Sequence, residues 1–190
     1  MASLPHYFAK LNPDNTVIQV IVVGEEDLID TKAWWDPIGL FTGKKGFEQV
    51  GVSFCQNHTA DPFSTWKKVE YSSRGEGFRG NYPSVGYNYL EGVKTLGVAS
   101  TDIFIDPQPF PSWSIGINTA HWYPPHERPE LTQFEDEKFM EYCWDEERYN
   151  LNSDNGWVLL SRKEADLYWD KRCEETRLRN MLLRPKYHFS

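Results

Sequence analysis

The stretch that most restricts the fold lies near the start of the chain. Tyr7 to Leu11 alternates, Asn12-Pro13-Asp14-Asn15 supplies turn chemistry, and Thr16 to Val23 returns as a β-branched run. Such an order of extended arm, polar turn and extended arm is the signature of a β-hairpin. Three later stretches repeat the plan with aromatic arms. They are Val85 to Val98, with Glu91-Gly92 near the bend; Ser112 to Tyr123, turning at Asn118-Thr119; and Tyr142 to Leu160, turning over Asn150 to Gly156. Proline-rich connectors, Asp106 to Pro111 and Pro124-Pro125, separate them. Proline cannot donate to a ladder, so these segments end one hairpin and aim the next. The repetition is degenerate, and too irregular for a propeller or solenoid.

Two segments read as helices. Between Gly46 and Asn57, Phe47, Val50, Phe54 and Cys55 fall on one amphipathic face. From Arg162 to Leu183, a helix is announced by the capping-box pair Ser161 and Glu164 and stopped by Pro185. Ala165, Tyr168, Trp169 and Cys173 line one side of it, and Leu167, Leu178, Met181 and Leu182 roughly the opposite side. A helix apolar on two sides needs two burial surfaces. The expected fold is mainly β, of the α+β class: an antiparallel hairpin-rich domain over 1–160, with an internal helix near 46–57, and a C-terminal helical extension over 161–190. That extension is expected to serve assembly, with Leu167, Trp169, Arg177, Leu178, Arg179, Met181 and Leu182 as its contact residues.

Composition narrows the function. Of 190 residues, 8 are Trp, 10 Tyr and 11 Phe, although the apolar fraction is only 39%. Rings dominate cores and interfaces, so regular arms carrying Trp66, Tyr89, Trp113, Trp122, Trp144 and Trp157 predict aromatic packing between hairpins. The net charge of −8 leaves no basic stripe overall for phosphate contacts, which argues against nucleic acid as a partner. The charge is also polarised. Glu127 to Glu147 holds nine acids against Arg128 and Lys138, whereas Thr176 onward carries Arg177, Arg179, Arg184 and Lys186 with no acid. Opposite poles suit head-to-tail contact between copies, although two solvated faces are the commoner explanation. Cys55, Cys143 and Cys173 are odd in number and widely spaced, which fits a reducing cytoplasm and no disulfide framework. Met1 to Lys10 lacks signal-peptide character, and the apolar run Val17 to Val23 is too short to span a bilayer, so no membrane association is expected.

Several spellings hint at chemistry and are weighed against blander roles. Gly75-Glu76-Gly77-Phe78-Arg79-Gly80 matches a dinucleotide fingerprint by letter, but Asn81-Tyr82-Pro83 follows where a helix should begin. Cys55 and His58 lack the second ligand pair that zinc requires, and Cys55 belongs with the apolar helix face. Asp145-Glu146-Glu147 offers carboxylates of the kind glycosidases use, yet adjacent residues in a turn point in different directions. No nucleophile elbow is present. The chain is therefore expected to have no catalytic residues, no metal and no cofactor. Exposed aromatics leave a glycan platform as a weaker alternative.

Six pieces in order carry a resemblance: Phe8 to Leu11 with Val17 to Val23; Gly51 to Cys55; Trp66-Lys67; Asn81 to Tyr89; Pro107 to Trp113; and Tyr142 to Glu147. Together they resemble a family of small virion structural proteins of marine tailed phages, including those infecting cyanobacteria. The chain departs from that pattern around Asp30 to Lys45, in the acidic stretch before Tyr142, in Leu-Glu-Gly after Tyr89, and in the helix past Leu160. Its Trp-Asp-Glu-Glu hairpin is also similar to the end of phage tail-fibre assembly proteins. The resemblance implies a non-catalytic capsid decoration or tail component, made in the host cytoplasm and residing in the virion. Its implied partners are other virion proteins and copies of itself. A tail-fibre assembly chaperone or an aromatic-lined glycan-binding receptor module are the alternatives.

Overall fold

A computed structural model describes residues 5–28, 46–71, 74–75, 77–93, 98, 101–116, 118–152 and 155–183. Asp30 to Lys45, Arg184 and Lys186 lie outside the described residues, as do the side chains of Phe47 and Arg179. Among the described residues, strands β1 (His6–Leu11), β2 (Val17–Val23), β3 (Thr65–Val69), β4 (Asn88–Glu91), β5 (Asp102–Ile105), β6 (Ser114–Ile115), β7 (Trp122–Tyr123), β8 (Glu141–Trp144) and β9 (Trp157–Leu160) all pair antiparallel. Helices α1 (Gly46–His58), α2 (Gln133–Glu137), α3 (Glu146–Leu151) and α4 (Arg162–Leu183) accompany them. The fold is α+β with hairpins and a C-terminal helix. Helix and strand have similar shares, within the expected α+β class. None of the described helices is long and apolar enough to cross a membrane.

The chain divides into two compact units, one of 1–107, 117–121 and 183–190, the other of 108–116 and 122–182. In the first unit, the N-terminal hairpin forms as expected. The Asn12 side-chain oxygen accepts the N–H groups of Asp14 (3.0 Å) and Thr16 (2.8 Å), and Asn15 takes the left-handed conformation at φ 59°. Strand β1 lies between β2 and β3. Its neighbours Phe8 and Ala9 point to opposite faces and are both fully buried, because each face is covered. Phe8 packs with Val23, Leu28, Cys55 and Trp66; Ala9 packs with Leu11, Val17, Val69, Tyr89 and Phe104. Helix α1 approaches so closely that a Cβ on Gly51 would lie 2.0 Å from the tip of the Phe8 ring.

The second hairpin differs from expectation. Its return arm is Asp102–Ile105, not the stretch ending at Val98. Strand β3, Thr-Trp-Lys-Lys-Val, was not anticipated as a strand.

The second unit centres on a network of rings. Trp144 meets Trp157 edge-on at 5.3 Å and Trp113 edge-on at 6.0 Å, with Tyr149 at 5.2 Å. Of the six aromatic residues expected in the core, Trp66, Tyr89, Trp144 and Trp157 are buried. Trp113 and Trp122 are half-buried, since they sit on or beside the two-residue pair β6–β7, too short to cover them. The bend of the fourth hairpin contains α3, a helix where only a turn was expected. Proximity at that bend is tight: a Cβ on Gly156 would lie 2.7 Å from the Trp144 ring.

Candidate interaction surface

Each spelling that hinted at chemistry has a structural task. In the Gly75–Gly80 stretch, Gly75, Gly77, Arg79 and Gly80 all have positive φ, a left-handed course that glycine permits. Among the described residues no helix starts there. The loop instead turns Arg79 inward, where it donates to Glu48 at 2.5 Å, Asp102 at 2.7 Å and the Lys68 carbonyl at 2.8 Å. Asp102 also accepts the Tyr89 hydroxyl. Burial pushes the Asp102 carboxyl up, but the Tyr89 hydrogen bond and the Arg79 charge outweigh it and hold it below the usual range. The cluster fastens α1, β3 and β5 to one cation.

Cys55 is buried under β1, and burial pushes its thiol up to about 12, which favours the neutral thiol over the thiolate. No group of three or more His, Cys, Asp or Glu is placed to hold a metal ion among the described residues. The three adjacent acids are divided in role. Asp145 caps α3 by accepting the Arg148 N–H at 3.0 Å. Glu146 accepts the Trp144 indole N–H at 2.9 Å, the Ser112 N–H at 3.0 Å and the Ser112 hydroxyl at 2.7 Å. Glu147 is exposed.

Helix α4 has a different character. Its start is fixed by Glu164, whose carboxylate accepts both the backbone N–H and the hydroxyl of Ser161. Ala165 is buried, the Tyr168 hydroxyl donates to the Trp144 carbonyl at 3.2 Å, and Arg172 donates to the Pro109 carbonyl at 2.6 Å. These residues fall at i, i+3 and i+7, one stripe docked on the unit's aromatic core. Trp169 and Cys173, expected on that side, are exposed, because the docked stripe is narrower than the apolar lettering. Beyond Arg172 every described side chain is exposed. That half still carries Leu178 (52% exposed), Met181 (57%) and Leu182 (88%), at i, i+3 and i+4 on one face, with Arg177 beside them. Leu167, three turns earlier on nearly the same line, is exposed too. Of the expected contact residues, the structure thus gathers Leu178, Met181 and Leu182 into one patch and leaves Trp169 on another side. It also holds exposed apolar residues that sequence reasoning missed, Phe134 and Phe139 around α2.

No family model, no curated protein and no solved structure matches this chain.

Proposed function

We propose that this chain is a non-catalytic structural component of a tailed-phage particle, joined to its neighbours through the far half of α4. The observation that carries the reading is the course of that helix. Its first three turns are docked, and the remainder projects with Leu178, Met181 and Leu182 in water. A helical segment of that length without a packed face is marginal in water. Covering the exposed part of each of those side chains stabilises by about 1–2 kcal/mol, so a partner would order the segment as it binds. The rest of the molecule supports the same reading. The rings of the second unit's core, Trp113, Trp144, Tyr149 and Trp157, are engaged with one another, and the charged groups that resembled a site serve as struts. The ordered resemblance to small virion proteins supplies the particle.

Quantitative mass spectrometry of purified particles tests this. A structural component is expected at a fixed copy number per particle. Abundance in the infected cell with absence from mature particles would instead identify an assembly chaperone, and retention on a glycan array at micromolar chain would favour a receptor module.

A further inference from the structure

The geometry points to a head-to-tail contact between copies of this chain, in which Phe134 and Phe139 of one copy seat against Leu178, Met181 and Leu182 of the next. It rests on the reading of α4 as an assembly surface and adds both the occupant and the opposing residues.

The α2 corner is preformed, although none of its residues is buried. Thr132 and Glu135 make a complete capping box, and the Glu135 carboxyl is held below its usual range by the Thr132 hydroxyl and N–H. At the other end Lys138, Phe139 and Met140 donate backbone N–H groups to Phe134 (3.2 Å), Asp136 (2.8 Å) and Glu135 (2.9 Å). Phe139 closes the corner at φ 54°, a conformation that a bulky side chain rarely adopts. A five-residue helix has no stability of its own. This one is fixed by caps at both ends, yet presents Phe134 at 61% and Phe139 at 69% exposure. Caps and a left-handed residue that hold two rings out in water describe a knob, not a solvated surface turn.

Charge selects the partner. The segment that carries the knob, Glu127 to Glu141, holds Glu127, Glu130, Glu135, Asp136, Glu137 and Glu141 against Arg128 and Lys138, with Glu141 paired to Arg128 at 3.8 Å. A partner must therefore be apolar and basic together. The end of α4 is both: Leu178, Met181 and Leu182 form the patch, Met being able to fit irregular rings, and Thr176 to Leu183 holds Arg177, paired one turn back with Glu174 at 3.1 Å, and Arg179, with no acid of its own. Both surfaces are exposed on the same chain, so a second copy satisfies them. The two patches differ, which makes the contact heterologous, building a ring or an open row.

Sedimentation velocity on the full chain over rising concentration tests this, with two double variants: Phe134→Ser/Phe139→Ser and Met181→Asp/Leu182→Asp. All the substituted side chains are exposed, so circular dichroism should show unchanged folds. The natural chain should self-associate, more weakly at high salt. Each double variant should lose roughly 30-fold or more in affinity and remain monomeric. Mixed together, the two variants should form a one-to-one heterodimer that grows no further, since each retains the surface the other lacks. A natural chain that stays monomeric, or a phenylalanine variant that associates undiminished, overturns the contact. Loss of the α4 variant from particles in that case would leave α4 standing as the surface that joins the particle, whereas its normal incorporation would remove α4 from that part as well.

Discussion

Arg172 donates to the carbonyl oxygen of Pro109 at 2.6 Å while its guanidinium carbon lies 4.5 Å from the centre of the Phe110 ring. This clamp is where the docked part of α4 ends. Arg172→Ala should remove a charge-assisted hydrogen bond and a cation–π contact, costing about 1–2 kcal/mol at this half-exposed site. Hydrogen exchange should speed up from Tyr168 onward and stay unchanged in β8 and β9. Equal acceleration in both strands would mean the clamp supports the hairpin as well as the helix.

The ring network of the second unit should be the most sensitive part of that unit. Trp144→Ala would leave a cavity among Trp113, Tyr149 and Trp157 and remove one of the three hydrogen bonds to the Glu146 carboxylate, costing about 3–5 kcal/mol by denaturant titration. A cost below about 1 kcal/mol would show that the rings collapse without loss.

In the first unit, Gly51→Ala would place a methyl group 2.0 Å from the Phe8 ring tip, which is itself fully buried. Helix α1 must shift or Phe8 must leave its rotamer, at about 1–3 kcal/mol. Ala normally favours a helix over Gly, so an increase in thermal midpoint would contradict the close approach.

The pH response of the same unit follows from Asp102. Its carboxyl is lowered in the folded chain, so it contributes stability above its unfolded value of about 3.9, lost as pH falls through the lower folded value. The urea midpoint should therefore drop on acidification below about pH 4. Asp102→Asn should cost about 2–3 kcal/mol at neutral pH, given partial exposure, and flatten that drop. An equally steep drop in the variant would assign the acid response to other carboxylates.

What the sequence disclosed, and what it concealed, follows the range of the interactions. The turn at Asn12 to Asn15 and the cap at Ser161 are made by residues within four positions of one another, so local spelling was sufficient. Strand β3 was hidden by its two lysines. They are tolerated because Lys67 pairs with Glu91 at 3.3 Å and lies over the Tyr89 ring, while Lys68 lies over Phe78. The true return arm of the second hairpin was hidden because Asp102 is fixed by Arg79, 23 residues away. At the candidate surface, Leu178, Met181 and Leu182 were legible from helical spacing. Phe134 and Phe139 were not, although Thr132 and Glu135 spell a capping box, because a five-residue helix amid acids lacks periodicity. The two sides of α4 were anticipated, but only the contacts of Tyr168 and Arg172 show where docking stops.

The proposed structural role depends most on the far half of α4 being a contact surface. Particles should be grown with a chain truncated after Glu174, which retains Ala165, Tyr168 and Arg172 and thus the docked turns. The truncated chain should be soluble, show unchanged near-ultraviolet aromatic signals, and be lost from purified particles by quantitative mass spectrometry. Retention at the full copy number would contradict the account.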